Sequence, residues 1–189
     1  MNEINLNNEL KAKKLFLVGF MATGKTTIGK RISSKLNVPF FDTDKELEFF
    51  FKISINDFFK AHGEDKFREI EEKVILDKIK NNNMNGFVMS LGGGAYLNEN
   101  VRNLVDSLGI SIWLDSNIDI IYNRIKNSKN IRPLTQKFDS KEKLKELLDE
   151  RVYYYKKAAI KVNIINTSKE NMTEIILKKI NIHINKEND

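Results

Sequence analysis

The sequence predicts an α/β protein built on a parallel sheet, and two observations support this class. Short apolar segments alternate with longer segments of helical periodicity, which is typical of parallel strands joined by crossover helices on both faces of a sheet. A glycine-rich turn also connects the first apolar segment to the first periodic one. At 189 residues the chain is long enough for one sizeable core. We therefore expect a single domain over residues 14–189, after a polar, solvated extension at residues 1–13.

Each element is predicted from its local pattern. Strands are expected where short apolar runs end in turn residues, at Lys14–Gly19, Pro39–Asp42, Gly86–Leu91, Ile110–Leu114 and Ile160–Ile165. Helices are expected where apolar residues recur every three or four positions, at Lys25–Leu36, Asp44–Phe51, Ile55–Asn81, Asn98–Leu108, Ile118–Ser128, Lys141–Ala158 and Asn171–Ile180. The stretches beginning at Ile55 and at Lys141 each allow one break. The Phe49–Phe51 run and Trp113 are interpreted as core residues.

Composition narrows the class of partners. The chain has no cysteine, which excludes disulfides and thiolate metal sites and favours a reducing, cytoplasmic location. Its net charge is +6, but the lysines are scattered along most helices instead of forming one basic arm. This distribution predicts a positive cleft for small anions, not a nucleic-acid surface. No apolar run suggests a signal peptide or a membrane span.

The glycine-rich turn carries the most specific signal. Gly19, four intervening residues, Gly24, Lys25 and Thr26 form the pattern of a phosphate-binding loop between a strand and a helix. Inward-pointing N–H groups and a helix N-terminus favour phosphate, the lysine reaches the β- and γ-phosphates, and the threonine hydroxyl suits Mg²⁺. A simple helix-capping turn is the alternative. The pattern predicts nucleoside triphosphate binding.

Two acidic residues follow the second predicted strand. Ligands of parallel sheets bind beyond the carboxyl ends of the strands, so Asp42 and Asp44 should share a cleft with the phosphate loop. Asp42 is predicted to hold a water bound to Mg²⁺, and Asp44 to accept a hydrogen bond or the proton from a substrate hydroxyl. The alternative is that Thr43 or Asp44 only caps the following helix.

Two arginines are candidates for binding a substrate carboxylate. Arg68 has Glu64 and Glu72 four residues away on a helix, so simple surface pairing is an equal alternative. Arg151 has no acid three or four residues away, and Tyr155 could stack on its guanidinium. A ligand carboxylate therefore remains an attractive partner for Arg151.

The third strand end and one basic loop complete the candidate site. Gly92, Gly93 and Gly94 in succession favour close approach of a substrate to the backbone, although a tight turn alone would also explain them. Residues 128–140 lack periodicity and are basic, which predicts a mobile lid over the triphosphate. Within it, Arg132 is expected to act as a cation on the transferring phosphate.

Together and in this order, these residues resemble the shikimate kinase family of P-loop enzymes. The resemblance runs from about Lys14 to Asn166 and rests on the phosphate loop, Asp42-Thr43-Asp44, Gly63-Glu64 with Phe67-Arg68, Leu91–Ala95, Arg132-Pro133-Leu134 and Arg151 with Tyr155. It implies a three-layer P-loop kinase fold with a five-stranded parallel sheet of order 2-3-1-4-5. A substrate-binding helical region would cover about 44–80.

The resemblance also implies residue roles. Asp44, Arg68, Gly93 and Arg151 would hold shikimate, with Gly92 and Gly94 beside them. Lys25, Asp44 and Arg132 would be catalytic, and Thr26 would hold Mg²⁺. ATP contacts would come from the phosphate loop and two arginines, at Gly19, Met21, Ala22, Thr23, Gly24, Lys25, Thr26, Thr27, Arg124 and Arg132.

The implied function is ATP-dependent phosphorylation of the shikimate 3-hydroxyl by a monomer, with release of ADP. Two alternatives are a related small-molecule kinase such as a gluconate kinase, and a non-catalytic nucleotide-binding module. Departures from the family pattern are Ala22 in place of a common glycine, a lid about one residue longer between Arg124 and Arg132, and no proline at 166–171 beside the expected adenine position.

Overall fold

The computed structural model describes residues 10–81, 84–127 and 140–188. Its strands are β1 (Lys14–Val18), β2 (Phe40–Asp42), β3 (Phe87–Ser90), β4 (Ile110–Asp115) and β5 (Ile160–Asn163). Its helices are α1 (Lys25–Leu36), α2 (Thr43–Phe51), α3 (Ile55–Lys80), α4 (Glu99–Leu108), α5 (Ile118–Lys126), α6 (Lys141–Tyr155) and α7 (Lys169–Asn188), with a short 3₁₀ helix at Ala95–Leu97. Every predicted strand and helix is confirmed, with shifts at the ends.

The strands form one parallel sheet of order β2-β3-β1-β4-β5, as expected. Leu17 of β1 and Asp42 of β2 both pair with Ser90 of β3. The ends of these strands are therefore level, and the segments that follow them emerge at one edge of the sheet. This edge is the carboxyl edge, where the sequence predicts the ligands to bind.

The two faces of the sheet are covered by separate hydrophobic cores. One core packs α3, α4, α5 and α6 against residues such as Phe16, Met89 and Trp113. The other packs α1 and α7 against residues such as Leu17 and Ile112. Helices on both faces complete the predicted three layers.

A third, smaller core joins α2 to α3 outside the sheet. Leu47, Phe58 and Phe67 are its buried members. Thr43 and Leu47 are one turn apart on α2, and both are buried. Phe49 and Phe50 are 85% and 59% exposed, so the prediction that they belong to the core is wrong. Trp113, at 3% exposure, is confirmed as a core residue.

Three further differences concern helix ends and the N-terminal segment. The break in α3 falls at Gly63, which has φ 79° and ψ 176°, whereas α6 runs without a break. The last helix continues to Asn188 because Ile180 and Ile184 extend its buried stripe. Within the predicted polar extension, Leu10 is only 2% exposed and packs in the α1–α7 core, so it is not solvated.

None of the helices that the structure describes combines the length and the apolar character required to cross a membrane.

Candidate active site

The phosphate loop takes its shape from two glycines with positive φ. Gly19 has φ 134°, and a Cβ there would lie 2.7 Å from the Leu114 carbonyl oxygen of β4. Gly24, with φ 101°, is the N-cap of α1. Side chains rarely adopt such φ values, and at Gly19 a side chain would also collide with the sheet. The loop thus lies directly against β4 and leads into the N-terminus of α1.

The side chain of Lys25 is turned back onto this loop. Its Nζ donates to the carbonyl oxygens of Gly19 and Phe20 at 2.7 and 2.8 Å, and the residue is only 7% exposed. The Thr23 hydroxyl donates to the same Phe20 carbonyl at 2.9 Å. These bonds hold a positive charge inside the loop, where a bound anion would meet it.

Thr26 and Asp42 join the loop to the end of β2. The Thr26 Oγ1 donates to Asp42 Oδ2 at 2.6 Å, and Asp42 is 8% exposed. Two oxygen ligands beside a phosphate loop fit Mg²⁺, which commonly takes one or two protein oxygens together with substrate phosphates and water. Within 10–81, 84–127 and 140–188, no group of three or more His, Cys, Asp or Glu residues is arranged to hold a metal by itself. The chemistry of this pair therefore fits a metal that arrives with a nucleotide.

Arg68 lies on α3 facing the glycine turn after β3. Its guanidinium donates to Glu71 at 2.5 Å and to Glu64 at 3.2 Å. A Cβ on Gly94 would lie 2.5 Å from its Nη1, so the guanidinium packs flat against that glycine. The alternative of pairing along the helix is confirmed for Glu64 and is wrong for Glu72, which instead accepts from Asn98 and Asn100.

Glu71 is an acidic member of the site that the sequence did not single out. It is 3% exposed, and burial raises its pKa above the ordinary value, against the opposing effect of Arg68. Burial alone would lower the pKa of Arg68, but the carboxylates of Glu71 and Glu64 outweigh that effect and raise it. The only feature of the sequence that pointed to Glu71 was its position three residues after Arg68. This spacing is also common for ion pairs on exposed helices, so it did not distinguish Glu71.

Asp44 and Glu71 meet at the first glycine of the turn. A Cβ on Gly92 would lie 2.8 Å from Asp44 Oδ1 and 2.9 Å from Glu71 Oε1. The Gly92 N–H donates to Thr43 Oγ1 at 2.8 Å, which ties the turn to the start of α2. The N-cap of α2 is Asp42, so the capping role proposed for Thr43 or Asp44 is wrong.

Arg151 reaches the second glycine of the turn from α6. Its Nη1 lies 3.3 Å from the Gly93 carbonyl oxygen, and its guanidinium lies over the Phe20 ring, 5.5 Å from the centroid. Tyr155 donates to the same carbonyl at 2.5 Å. Arg151 is 5% exposed, so it presents a buried cation between the phosphate loop and the glycines.

A cavity of about 380 Å³ runs along the phosphate loop. Lys25, Thr26 and Asp44 line it, together with Ile164, Ile165 and Thr167 from the segment after β5. Arg124 also lines it and donates from Nη1 to the Ala22 carbonyl at 3.0 Å. The segment that lacks the family's proline thus still faces the cavity.

The predicted site residues in the described ranges come together at one edge of the sheet. The phosphate loop, Asp42 and Asp44, Arg68, the glycines at 92–94, Arg124 and Arg151 are all joined by the contacts above. Arg132 and residues 128–139 of the predicted lid lie outside the described residues. Sequence reasoning missed Glu71, the contact of Phe20 with Arg151, and the hydrogen bond from Tyr155 to the glycine turn.

Comparisons with known proteins agree with this geometry. A family model described as shikimate kinase matches residues 21–182. A curated shikimate kinase from Bartonella quintana is 37% identical over 179 residues, which cover 95% of this chain and 83% of that protein.

Two solved structures of shikimate kinases are also similar to this chain. The shikimate kinase from Acinetobacter baumannii in complex with shikimate is 28% identical, with a TM-score of 0.84 over 92% of this chain and 96% of the other. The shikimate kinase from Bacteroides thetaiotaomicron is 28% identical, with a TM-score of 0.78 over 89% of this chain and 98% of the other.

Proposed function

This chain belongs to the shikimate kinase family, and on that premise we propose that it transfers the γ-phosphoryl group of ATP to the 3-hydroxyl of shikimate. The observation that carries the proposal is the convergence of two sites at one edge of the sheet. A phosphate loop with its lysine lies beside a pocket that holds two arginines and two carboxylates. The first suits a triphosphate, and the second suits a small hydroxylated carboxylic acid.

In the proposed reaction, the shikimate 3-hydroxyl oxygen forms a bond to the γ-phosphorus of ATP. The bond from that phosphorus to the bridging oxygen breaks, and ADP leaves with the electron pair. Asp44 accepts the hydroxyl proton, because its carboxylate lines the phosphate cavity and also borders the glycine turn. The proton is thereby removed as the new phosphoester forms.

The basic residues would stabilise the negative charge on the transferring phosphoryl group. Lys25 would move from the carbonyls of Gly19 and Phe20 to the β- and γ-phosphates, and Arg132 would reach the transferring group from the lid. Mg²⁺, when bound, would neutralise charge between these phosphates. Thr26 would contact it directly and Asp42 through water, as their 2.6 Å hydrogen bond suggests.

Arg68 and Arg151 would share the substrate carboxylate. They border the glycine turn from two different helices, so a carboxylate over Gly93 would lie between two cations. Glu71 supports this role because its bond to Arg68 fixes one side of the guanidinium. We further propose that Arg124 and the segment after β5 contact adenine, since both line the cavity next to the loop.

We also propose a cytoplasmic monomer that acts without nucleic acid or a membrane. The absence of cysteine and the scattered lysines support this setting. Size-exclusion chromatography with light scattering measures the oligomeric state. A stable dimer would contradict that part of the proposal.

An ADP-release assay with a panel of acceptors tests the function. We expect turnover with shikimate and Mg²⁺, and none with gluconate or nucleoside monophosphates. Mass spectrometry should show a phosphorylated shikimate. Turnover with gluconate would favour a related small-molecule kinase, and ATP binding without turnover on any acceptor would favour a non-catalytic module.

Two variants test the site assignment. Asp44→Asn should lower kcat by about 100-fold or more, the usual contribution of a general base. Arg68→Ala should lower kcat/KM for shikimate by roughly 10- to 100-fold, as expected for a charged hydrogen bond. Arg31→Ala is the matched control, since Arg31 forms an exposed ion pair with Glu170 on the opposite face. If both site variants kept the wild-type kcat/KM, the assignment would be wrong.

A further inference from the structure

The hydroxyl of Tyr155 is hydrogen-bonded to the glycine turn, and Tyr155 does not line the cavity along the phosphate loop. It donates to the Gly93 carbonyl oxygen at 2.5 Å, and the residue is fully buried. Its ring packs beside Trp113, with ring centroids 6.1 Å apart. Burial raises the pKa of Tyr155 to about 12, against the opposing effect of Arg151. The hydroxyl therefore keeps its proton and remains a donor throughout the neutral pH range.

Arg151 faces the same carbonyl oxygen. The Nη1 of Arg151 lies 3.3 Å from it, at the long limit of N–H···O hydrogen bonds. The Nε of Arg151 is buried and has no hydrogen-bond partner among the residues that the structure describes. A buried guanidinium is stable only when its donors are satisfied, so this one has capacity for an incoming anion.

We propose that Tyr155 is a positioning residue that occupies the Gly93 carbonyl and so keeps the Arg151 guanidinium available for the carboxylate of the substrate. The inference rests on the proposed function, since it concerns how the substrate is held. It assigns Tyr155 no contact with the substrate. Its effect is exerted through Arg151.

Tyr155 and Arg151 are two donors that compete for one buried acceptor, the Gly93 carbonyl oxygen. A buried carbonyl without a good donor is destabilised, and the next donor in reach of the Gly93 oxygen is Arg151. Without the Tyr155 hydroxyl, the guanidinium would move onto the backbone and form the bond that is now long. It would then have to leave that bond in order to bind the substrate carboxylate. We expect nucleotide binding to be unaffected, because the Tyr155 hydroxyl is hydrogen-bonded to the glycine turn and Tyr155 does not line the phosphate cavity.

Tyr155→Phe tests the proposal because it removes one oxygen atom and keeps the ring against Trp113. We expect KM for shikimate to rise about tenfold, the effect of one hydrogen bond to a charged group. We expect kcat and KM for ATP to change less than about twofold. A loss of fold stability alone would not raise KM for shikimate while leaving KM for ATP unchanged.

Tyr96→Phe is the matched control. Tyr96 is equally buried in the same core, and its hydroxyl is hydrogen-bonded to Asp106 and Ser111, away from the glycine turn. We expect both variants to lower Tm by similar amounts. Only Tyr155→Phe should alter KM for shikimate. An equal change of KM in both variants, or none in Tyr155→Phe, would overturn the proposal.

A double variant tests whether Tyr155 acts through Arg151 or has a general effect on the protein. In an Arg151→Ala background, Tyr155→Phe should change kcat/KM for shikimate less than about twofold, because the residue through which it acts is gone. The full tenfold loss in that background would also overturn the proposal. A wild-type protein that does not phosphorylate shikimate would instead refute the proposed function, so the two failures are distinguishable.

Discussion

The Thr26 hydroxyl donates a hydrogen bond to the Asp42 carboxylate, with Oγ1 and Oδ2 2.6 Å apart. The bond joins the N-terminus of α1 to the carboxyl end of β2 and brings together two oxygens that suit Mg²⁺. In the proposed reaction, the other carboxylate oxygen of Asp42 would hold a water molecule bound to Mg²⁺.

Asp42→Asn should therefore weaken the response to Mg²⁺. We expect the Mg²⁺ concentration for half-maximal activity to rise by about 10-fold or more, as for other residues that orient metal ligands. KM for shikimate should stay near the wild-type value. Titration of activity with Mg²⁺ at fixed ATP measures this shift, with exposed Asp77→Asn as the control. Identical Mg²⁺ curves for Asp42→Asn and the wild type would contradict the role of Asp42.

Gly94→Ala should weaken shikimate binding specifically. The new Cβ would lie 2.5 Å from Arg68 Nη1 and 2.7 Å from its Cζ, so the guanidinium must move away from the glycine turn. Because a side-chain end can shift more easily than backbone, we expect little loss of stability. We expect KM for shikimate to rise about tenfold, the effect of one charged hydrogen bond.

The internal control for Gly94→Ala is KM for ATP, which the same assay gives. This constant should be unchanged, because the three atoms nearest to the new Cβ all belong to Arg68. An equal rise in both KM values would indicate distortion of the whole sheet edge.

Glu71 should make the stability of the protein depend on pH. Its folded-state pKa lies above the ordinary value of 4.5 because the residue is buried. Between those two values the folded protein binds more protons than the unfolded chain. The free energy of unfolding should therefore fall as pH rises from about 4.5 through the folded pKa.

Glu71→Gln should reduce this fall, since glutamine does not titrate. Urea unfolding of both proteins between about pH 4 and pH 8 measures the difference in slope. Glu69→Gln on the same helix is the control, because Glu69 is exposed beside Lys66. Parallel pH profiles of unfolding free energy for the wild type and Glu71→Gln would mean that burial does not raise the pKa of Glu71.

Two neighbouring positions on α2 should differ sharply in their effect on stability. Leu47 is fully buried in the small core between α2 and α3, so Leu47→Ala should cost about 2–5 kcal/mol. Phe49 is exposed, so Phe49→Ser should change stability by at most about 0.5 kcal/mol. Chemical denaturation measures both. A large loss from Phe49→Ser would mean that its ring is covered in solution.

The local pattern was sufficient for most of the fold. The alternation of apolar and periodic segments predicted every strand and helix, because strands of a doubly covered sheet are apolar throughout and helices have one apolar face. It failed for Phe49 and Phe50 because three aromatic residues in a row cannot all face the same side of a helix. It also underestimated the length of α7, which continues past its predicted end and buries Ile184 there.

Part of the candidate site could also be predicted from the local sequence pattern. The phosphate loop is local in sequence, so the spacing of Gly19, Gly24, Lys25 and Thr26 carries the whole signal. The surroundings of Arg68 were not local in sequence. Arg68 pairs with Glu64, as the spacing allowed, but its guanidinium also packs against Gly94, which is distant in sequence.

By itself, the sequence determined the fold class, the phosphate loop and the types of side chain that follow each strand, because these depend on periodicity and on short-range backbone chemistry. Only the tertiary structure decided which charges are buried together. Glu71 and Tyr155 look ordinary on their helices, and their contacts with the glycine turn form only when α3 and α6 meet the turn after β3. Electrostatic and hydrogen-bond energies depend on burial and distance, and neither quantity is encoded in the spacing along the chain.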